Sequence, residues 1–207
     1  MQNNATDKLS PLKKLTAEQE ALVNQIINFT NQHLNNNFPA TFTIYGDAGT
    51  GKSVVLSALF DQIQKLRQTK NSNFYQTNNY FLVNHPEILK VYKQIAGPLP
   101  ELLKKNFQRP TSFINQLDKK QKEADIVIID EAHLLLSKPD HYNNFYHDNQ
   151  LVEIIKRSKV VILVFDPYQV LKMKTLWTKE RLERITHLYP HEEYYLNHQF
   201  RMNASSD

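Results

Sequence analysis

Short, almost wholly apolar runs alternate with longer amphipathic segments along most of this chain. Residues 41–45, 80–83, 126–129 and 160–165 each read as a buried strand, and residues 193–196 predict a last short one. The runs 126–129 and 160–165 contain no polar position, which is the pattern of strands covered on both faces. Before the first strand, Leu22, Val23, Ile26, Ile27 and Phe29 recur at helical spacing. Thr16 stands at the N-cap and Gln19 three residues on, as a capping box requires. Asn35-Asn36-Asn37 and Pro39 end that helix. Residues 53–67, with Val55, Leu56, Leu59, Ile63 and Leu66 on one side, predict a second helix. Pro86 opens a third that runs to Ile95 and closes at Gly97-Pro98, and residues 111–122 predict a fourth. Residues 1–14, polar with Pro11, predict a flexible lead-in, and residues 137–150, rich in Asn, His and Tyr, a surface insertion. Strands that alternate with helices imply an α/β fold, a parallel sheet with helices on both faces, because parallel neighbours need crossover connections.

Composition narrows the class only a little. The chain has 207 residues, 41% of them hydrophobic, which suits one large domain with a proper core. No apolar run reaches the about 18–20 residues that a bilayer span needs, and the polar start Met1-Gln2-Asn3-Asn4 is no signal segment, so a cytoplasmic protein without membrane partners is expected. The absence of cysteine excludes disulfides, thiol catalysis and cysteine-based zinc sites. A formal charge of +4 favours contact with a polyanion without demanding it.

Chemistry enters with the glycines. Three of the four fall in Gly46-Asp47-Ala48-Gly49-Thr50-Gly51-Lys52-Ser53, between a predicted strand and a predicted helix. This is a complete Walker A phosphate loop in its required setting. Its glycines let successive N–H groups converge on one anion at a helix N-terminus, so residues 46 to 53 are the predicted phosphate cradle. Lys52 is expected to reach the β- and γ-phosphates of ATP, and Ser53 to hold Mg²⁺. The strand 126–129 runs into Asp130-Glu131-Ala132-His133, a Walker B arrangement. Asp130 is the second expected Mg²⁺ ligand, and Glu131 is expected to orient the attacking water.

The order of further blocks narrows the family. Leu15-Thr16-Ala17-Glu18-Gln19-Glu20-Ala21-Leu22-Val23 resembles the Q-motif that precedes Walker A in superfamily 1 helicases, and residues 130–133 resemble their motif II. Asp166-Pro167-Tyr168-Gln169 resembles motif III, with Phe165 where that family usually has glycine, and Leu196-Asn197-His198-Gln199-Phe200-Arg201 resembles motif IV. Within that superfamily the chain is similar, over about residues 15–202, to the bacterial ATPase domain related to the Schlafen group 3 DNA/RNA helicase domain. The resemblance implies a RecA-like P-loop NTPase fold. It further implies that Gln19 reads the adenine edge, where the residues alone equally allow a capping-box role. Gln169 would sense the γ-phosphate, Arg201 would contact it, and single-stranded DNA or RNA would be the partner of the full-length protein. His133 is either a link from the ATP site to neighbouring segments or a helix cap.

A superfamily 1 motor needs two RecA-like domains, and only the first is legible here. The chain is therefore expected to be a fragment whose residues 203–207 precede an absent second domain, with slow hydrolysis and no unwinding of its own. Two other readings stay open: an AAA+ or signalling ATPase that acts on proteins without nucleic acid, and a small-molecule kinase, which Asp-Glu after the strand fits less well. Tyr75, Tyr80, Phe107 and Phe113, with Lys104-Lys105 and Lys119-Lys120, are candidates for stacking on bases and pairing with phosphates. His141 and His147 flank a tyrosine-rich loop with no H-E-x-x-H string or close carboxylate set, and they do not read as a metal site. Tyr45 reads as core.

Overall fold

A computed structural model describes residues 14–46, 51–173 and 176–196. Within them lie six strands: β1 (Ala40–Tyr45), β2 (Asn79–Val83), β3 (Phe107–Gln108), β4 (Ala124–Asp130), β5 (Ser158–Phe165) and β6 (His191–Tyr195). They form one sheet in the order β3-β2-β4-β5-β1-β6, and every pairing is parallel. Seven helices connect them: α1 (Ala17–His33), α2 (Lys52–Arg67), α3 (Pro86–Ala96), α4 (Pro110–Lys120), α5 (Gln150–Lys156), α6 (Pro167–Met173) and α7 (Lys179–Thr186). The predicted strands and the first four helices are all present within a few residues. β3 and helices α5 to α7 lie where the sequence reading had placed no element.

Alternation along the strands splits the core into two halves. Phe42, Ile44, Ile126, Ile128, Ile162 and Val164 face α1, α2 and α3. Tyr45, Val127, Ile129, Val161, Leu163 and Phe165 face the other way, onto residues of α4 to α7. β4 and β5 thus bury both faces, which explains their unbroken apolar runs. The edge strand β6 carries Glu192 and Glu193 outward, a charged edge that discourages further pairing.

Local signals explain where the helices begin. The Thr16 Oγ1 accepts from the Gln19 N–H at 3.2 Å, while Gln19 Oε1 accepts from the Thr16 N–H at 3.0 Å, a complete capping box. α3 starts with His85, whose Nδ1 accepts from the Ile88 N–H at 3.2 Å, and with Pro86 in its first turn. The segment after β4 is less superficial than expected. His141–Asn143 forms an exposed 3-10 turn, but Phe145 is buried in the second half of the core, and Gln150 is buried at the start of α5. Trp177 ties that region down, its Nε1 donating to the Leu135 carbonyl at 2.7 Å.

What matters for function is the shared edge. Register pairs Tyr45 with Phe165 and Ile129 with Leu163, so β1, β4 and β5 end side by side, with Gly46, Asp130 and Asp166 at one rim. Crevices beyond the carboxyl ends of parallel strands are where such sheets bind ligands. The framework should be sensitive to its centre. Ile128→Ala, in the middle of β4, is expected to cost about 2–5 kcal/mol of stability, read as a lowered urea midpoint in the fluorescence of Trp177.

Candidate nucleotide site

The backbone turns sharply as it enters α2. Gly51 has φ of +80°, in the left-handed region, and a Cβ there would lie 2.6 Å from Gln19 Nε2. The left-handed backbone calls for glycine, while the end of the Gln19 side chain would have to move to admit a Cβ. The contact also places the buried Gln19 against the start of α2 while its oxygen completes the capping box. Asp47, Ala48, Gly49 and Thr50 of the predicted cradle lie outside the described residues, as do Gln199, Arg201 and residues 203–207. The first turn of α2 contains no acidic residue, so the positive end of its dipole is left for an external anion.

Lys52, the first residue of α2, is 6% exposed and reaches into the rim between β4 and β5. Its Nζ stands 3.9 Å from Glu131 Oε1 and 4.0 Å from Asp166 Oδ2. Asp166 is fully buried, and its Oδ1 accepts from the N–H groups of Tyr168 at 2.9 Å and Gln169 at 3.3 Å. Its Oδ2 takes no hydrogen bond among the described residues. The sequence reading gave this block's role to Gln169. The structure puts Gln169 half-buried in the first turn of α6 and makes Asp166 the residue that faces Lys52.

Tyr92, on α3, is the other residue that sequence reasoning missed. Its hydroxyl donates to Asp130 Oδ2 at 2.9 Å, so it holds one of the two expected Mg²⁺ ligands. Burial, then the charge of Asp130, pushes the Tyr92 phenol well above its ordinary value, and it stays a donor. Nothing in the periodicity of α3 marks this tyrosine apart from its neighbours. Burial, followed by the charge of Glu131, also holds the Asp130 carboxyl above the usual carboxylate range, with Lys52 and Tyr92 pulling it back.

Glu131 adopts φ of +53°, a left-handed conformation that costs a residue with a Cβ about 1–2 kcal/mol. Its N–H donates to Asp130 Oδ1 at 2.9 Å. Its Oε2 is 3.2 Å from His133 Nε2, on an imidazole that burial first and Lys52 next hold below the ordinary histidine value. A neutral His133 with its proton on Nε2 donates to this carboxylate. The contact His133 makes is to Glu131, within the site itself.

Three carboxylates, Asp130, Glu131 and Asp166, thus surround a single ammonium. The fit to a divalent cation is good: Ser53 and Asp130 supply oxygen donors of the kind Mg²⁺ takes, and the imbalance of charge favours added positive charge.

Elsewhere the structure corrects several candidates. Phe107 and Phe113 are core residues and cannot stack on a base. Tyr45 is buried and stacked on Tyr195 at 4.9 Å, as a core residue should be. His147 does meet carboxylates, Glu153 at 3.7 Å and Asp118 at 3.9 Å, brought in from α5 and α4. Arg157 already pairs with both, at 2.6 and 2.8 Å, so no metal set results.

Fold and site together define a P-loop ATPase-type domain of RecA-like architecture. Residues 39–207 match the Schlafen group 3, DNA/RNA helicase domain, and the chain belongs to that family. It is 44% identical over 181 residues to the uncharacterized protein YPL245W of Saccharomyces cerevisiae, which covers 84% of this chain and 40% of that protein. The chain therefore spans well under half of this relative's length. Among solved structures, the Aeropyrum pernix ORC1 protein in complex with DNA superposes with a TM-score of 0.54 at 14% identity, over 93% of this chain and 49% of that one. AMPPCP-bound DnaA from Aquifex aeolicus gives a TM-score of 0.46 at 20% identity, over 95% of this chain and 53% of that one. No helix among the described residues is long and apolar enough to cross a membrane.

The raised Asp130 carboxyl has a consequence for stability. The folded state holds this proton more tightly than the unfolded chain, so ionisation of Asp130 opposes folding as pH rises from the ordinary carboxylate range through the folded value. Asp130→Asn is expected to raise the melting temperature of the metal-free and nucleotide-free protein at neutral pH. The gain should shrink as pH falls through the ordinary carboxylate range toward about pH 3, where the wild-type carboxyl is largely protonated in both states; thermal scans across that range check both the sign and the trend.

Proposed function

We propose that this chain binds ATP and hydrolyses it with Mg²⁺ as the first RecA-like domain of a superfamily 1-type, helicase-like protein acting on DNA or RNA. The observation that carries the reading is the placement of Lys52 between carboxylates from the ends of β4 and β5. Residues 46 to 53 cradle the phosphates, and Lys52 holds the β- and γ-phosphoryl groups. Gln19, packed against Gly51, lies near enough to the loop to serve the adenine edge as well as the capping box. Mg²⁺, held by Ser53 and Asp130, supplies neutralisation of phosphate charge. Glu131, fixed by His133, orients water for in-line attack, so the protein contributes positioning and electrostatics. Gln169 reports the state of the site through α6, and Arg201 meets the γ-phosphate. The incomplete coverage of the yeast relative supports a longer parent protein with a second domain.

Lys52→Ala is expected to abolish Mg²⁺-dependent ATP binding in calorimetry, and wild-type affinity in that variant overturns the proposal. Glu131→Gln should keep affinity within a few-fold and lower the single-turnover hydrolysis rate by about 10²-fold or more.

The fold also gathers two of the predicted basic clusters. Lys105, Lys120 and Lys122 line one recess of about 410 Å³ with the half-buried Tyr80, near the amino ends of β2 and β3. We place contact with a single strand there. Replacing all three lysines by alanine should weaken binding of a single-stranded oligonucleotide and reduce its salt slope by about one for each lost phosphate contact. Unchanged binding and slope remove this recess from the path. If single strands neither bind nor stimulate hydrolysis in the parent protein, the alternative of a protein-directed switch takes over.

A further inference from the structure

At the end of β1 remote from Lys52, His187, His191 and Glu193 bring one donor atom each within 4.8 Å of one another. His187 is the C-cap of α7. His191 and Glu193 stand two apart on β6 and so point to the same face. Thr41, at the start of β1, decides what His191 can offer. Its hydroxyl has one proton, which it donates to the Thr186 carbonyl at 3.2 Å. Toward His191 Nδ1, 2.8 Å away, it is therefore an acceptor. Both contacts are hydrogen bonds at once when the ring proton of a neutral His191 sits on Nδ1, and in that tautomer Nε2 carries a free lone pair.

That nitrogen is buried and takes no hydrogen bond among the described residues, on a side chain 9% exposed. Glu193 Oε2 lies 3.9 Å from it, beyond hydrogen-bond reach. An unpaired buried polar atom in a native structure calls for an explanation such as a missing ion. The surrounding turn is firmly held: the Tyr189 N–H donates to the Thr186 carbonyl at 3.2 Å, and the Thr41 N–H to the Pro190 carbonyl at 2.9 Å.

We propose that His187, His191 and Glu193 form a binding site for one zinc-class divalent cation. Two imidazoles and a carboxylate are donors that Zn²⁺ takes at about 2.0–2.2 Å, with a fourth position left to water. Such bonds draw tetrahedral donors to about 3.4 Å apart. His191 stays in place, and the exposed His187 and Glu193 swing in. Thr41 is the outer partner that fixes the ring's proton and orientation. Mg²⁺, which demands oxygen donors, does not suit the set. The ion clips the end of α7 to the edge strand β6. It shares no donor with the nucleotide site, so this inference stands apart from the ATPase reading.

The test uses the full chain stripped with chelator, titrated with Zn²⁺ by calorimetry and with Co²⁺ by visible absorption, without nucleotide. One equivalent should bind and raise the melting temperature, whereas Mg²⁺ should not. His187→Ala and Glu193→Gln, both at exposed positions, should each weaken binding at least tenfold, and Thr41→Val by about 10–100-fold. Lys52→Ala and the pair His141→Ala with His147→Ala should bind as wild type does. The proposal is overturned if no saturable binding occurs, if the His187→Ala/Glu193→Gln double variant binds as tightly as wild type, or if binding disappears with His141 and His147 instead.

Discussion

One ammonium group set against three carboxylates governs the active rim of this domain. Lys52 is buried, and the only described acidic groups within 4 Å of it are Glu131 and Asp166, neither at hydrogen-bond distance. Asp130 and Asp166 are fully buried as well. Taking such charges out of water costs more than loosely placed partners return, so the cluster is a poor device for stability. It becomes favourable when phosphates and a divalent cation complete it. The parallel sheet makes this arrangement possible, because only the ends of β1, β4 and β5, lying side by side, can bring a helix N-terminus and three acidic groups to one place.

The same logic explains the tolerated strain. Glu131 keeps a left-handed backbone that glycine would adopt more readily. In exchange its N–H meets Asp130 and its carboxylate meets His133. A relaxed backbone at this position would carry the side chain elsewhere. Strain maintained by surrounding contacts is what a positioned catalytic group requires.

Much of this was legible in the residues themselves. The apolar runs of β1, β4 and β5 and the Thr16–Gln19 box announce themselves because local chemistry determines them. The Walker strings are equally plain, since phosphate binding demands particular residues at fixed spacing. What stayed hidden depends on tertiary approach. Tyr92 reads as one aromatic on an amphipathic helix, and only the packing of α3 against β4 brings its hydroxyl to Asp130. Asp166 was in view as part of a block, yet its neighbour Gln169 drew the role, because no spacing rule shows which side chain turns inward. β3 has two residues, too few to show a period, and α5 and α6 span barely two turns each.

The two ends of β1 show how differently a sequence discloses sites. At its carboxyl end the chemistry is written contiguously, in a glycine-rich string that the backbone itself needs. At its amino end the donors His187, His191 and Glu193 follow no familiar motif, and the residue that sets the state of His191 is Thr41, 150 positions away. The hydroxyl there has one proton to give and gives it to a carbonyl, which leaves the imidazole nitrogen on the far side of the ring as a base with no partner. A chain without cysteine can still build a nitrogen-rich cation site this way. It needs only a helix end and an edge strand whose turn is pinned closely enough to hold two imidazoles with their ring centres 4.8 Å apart.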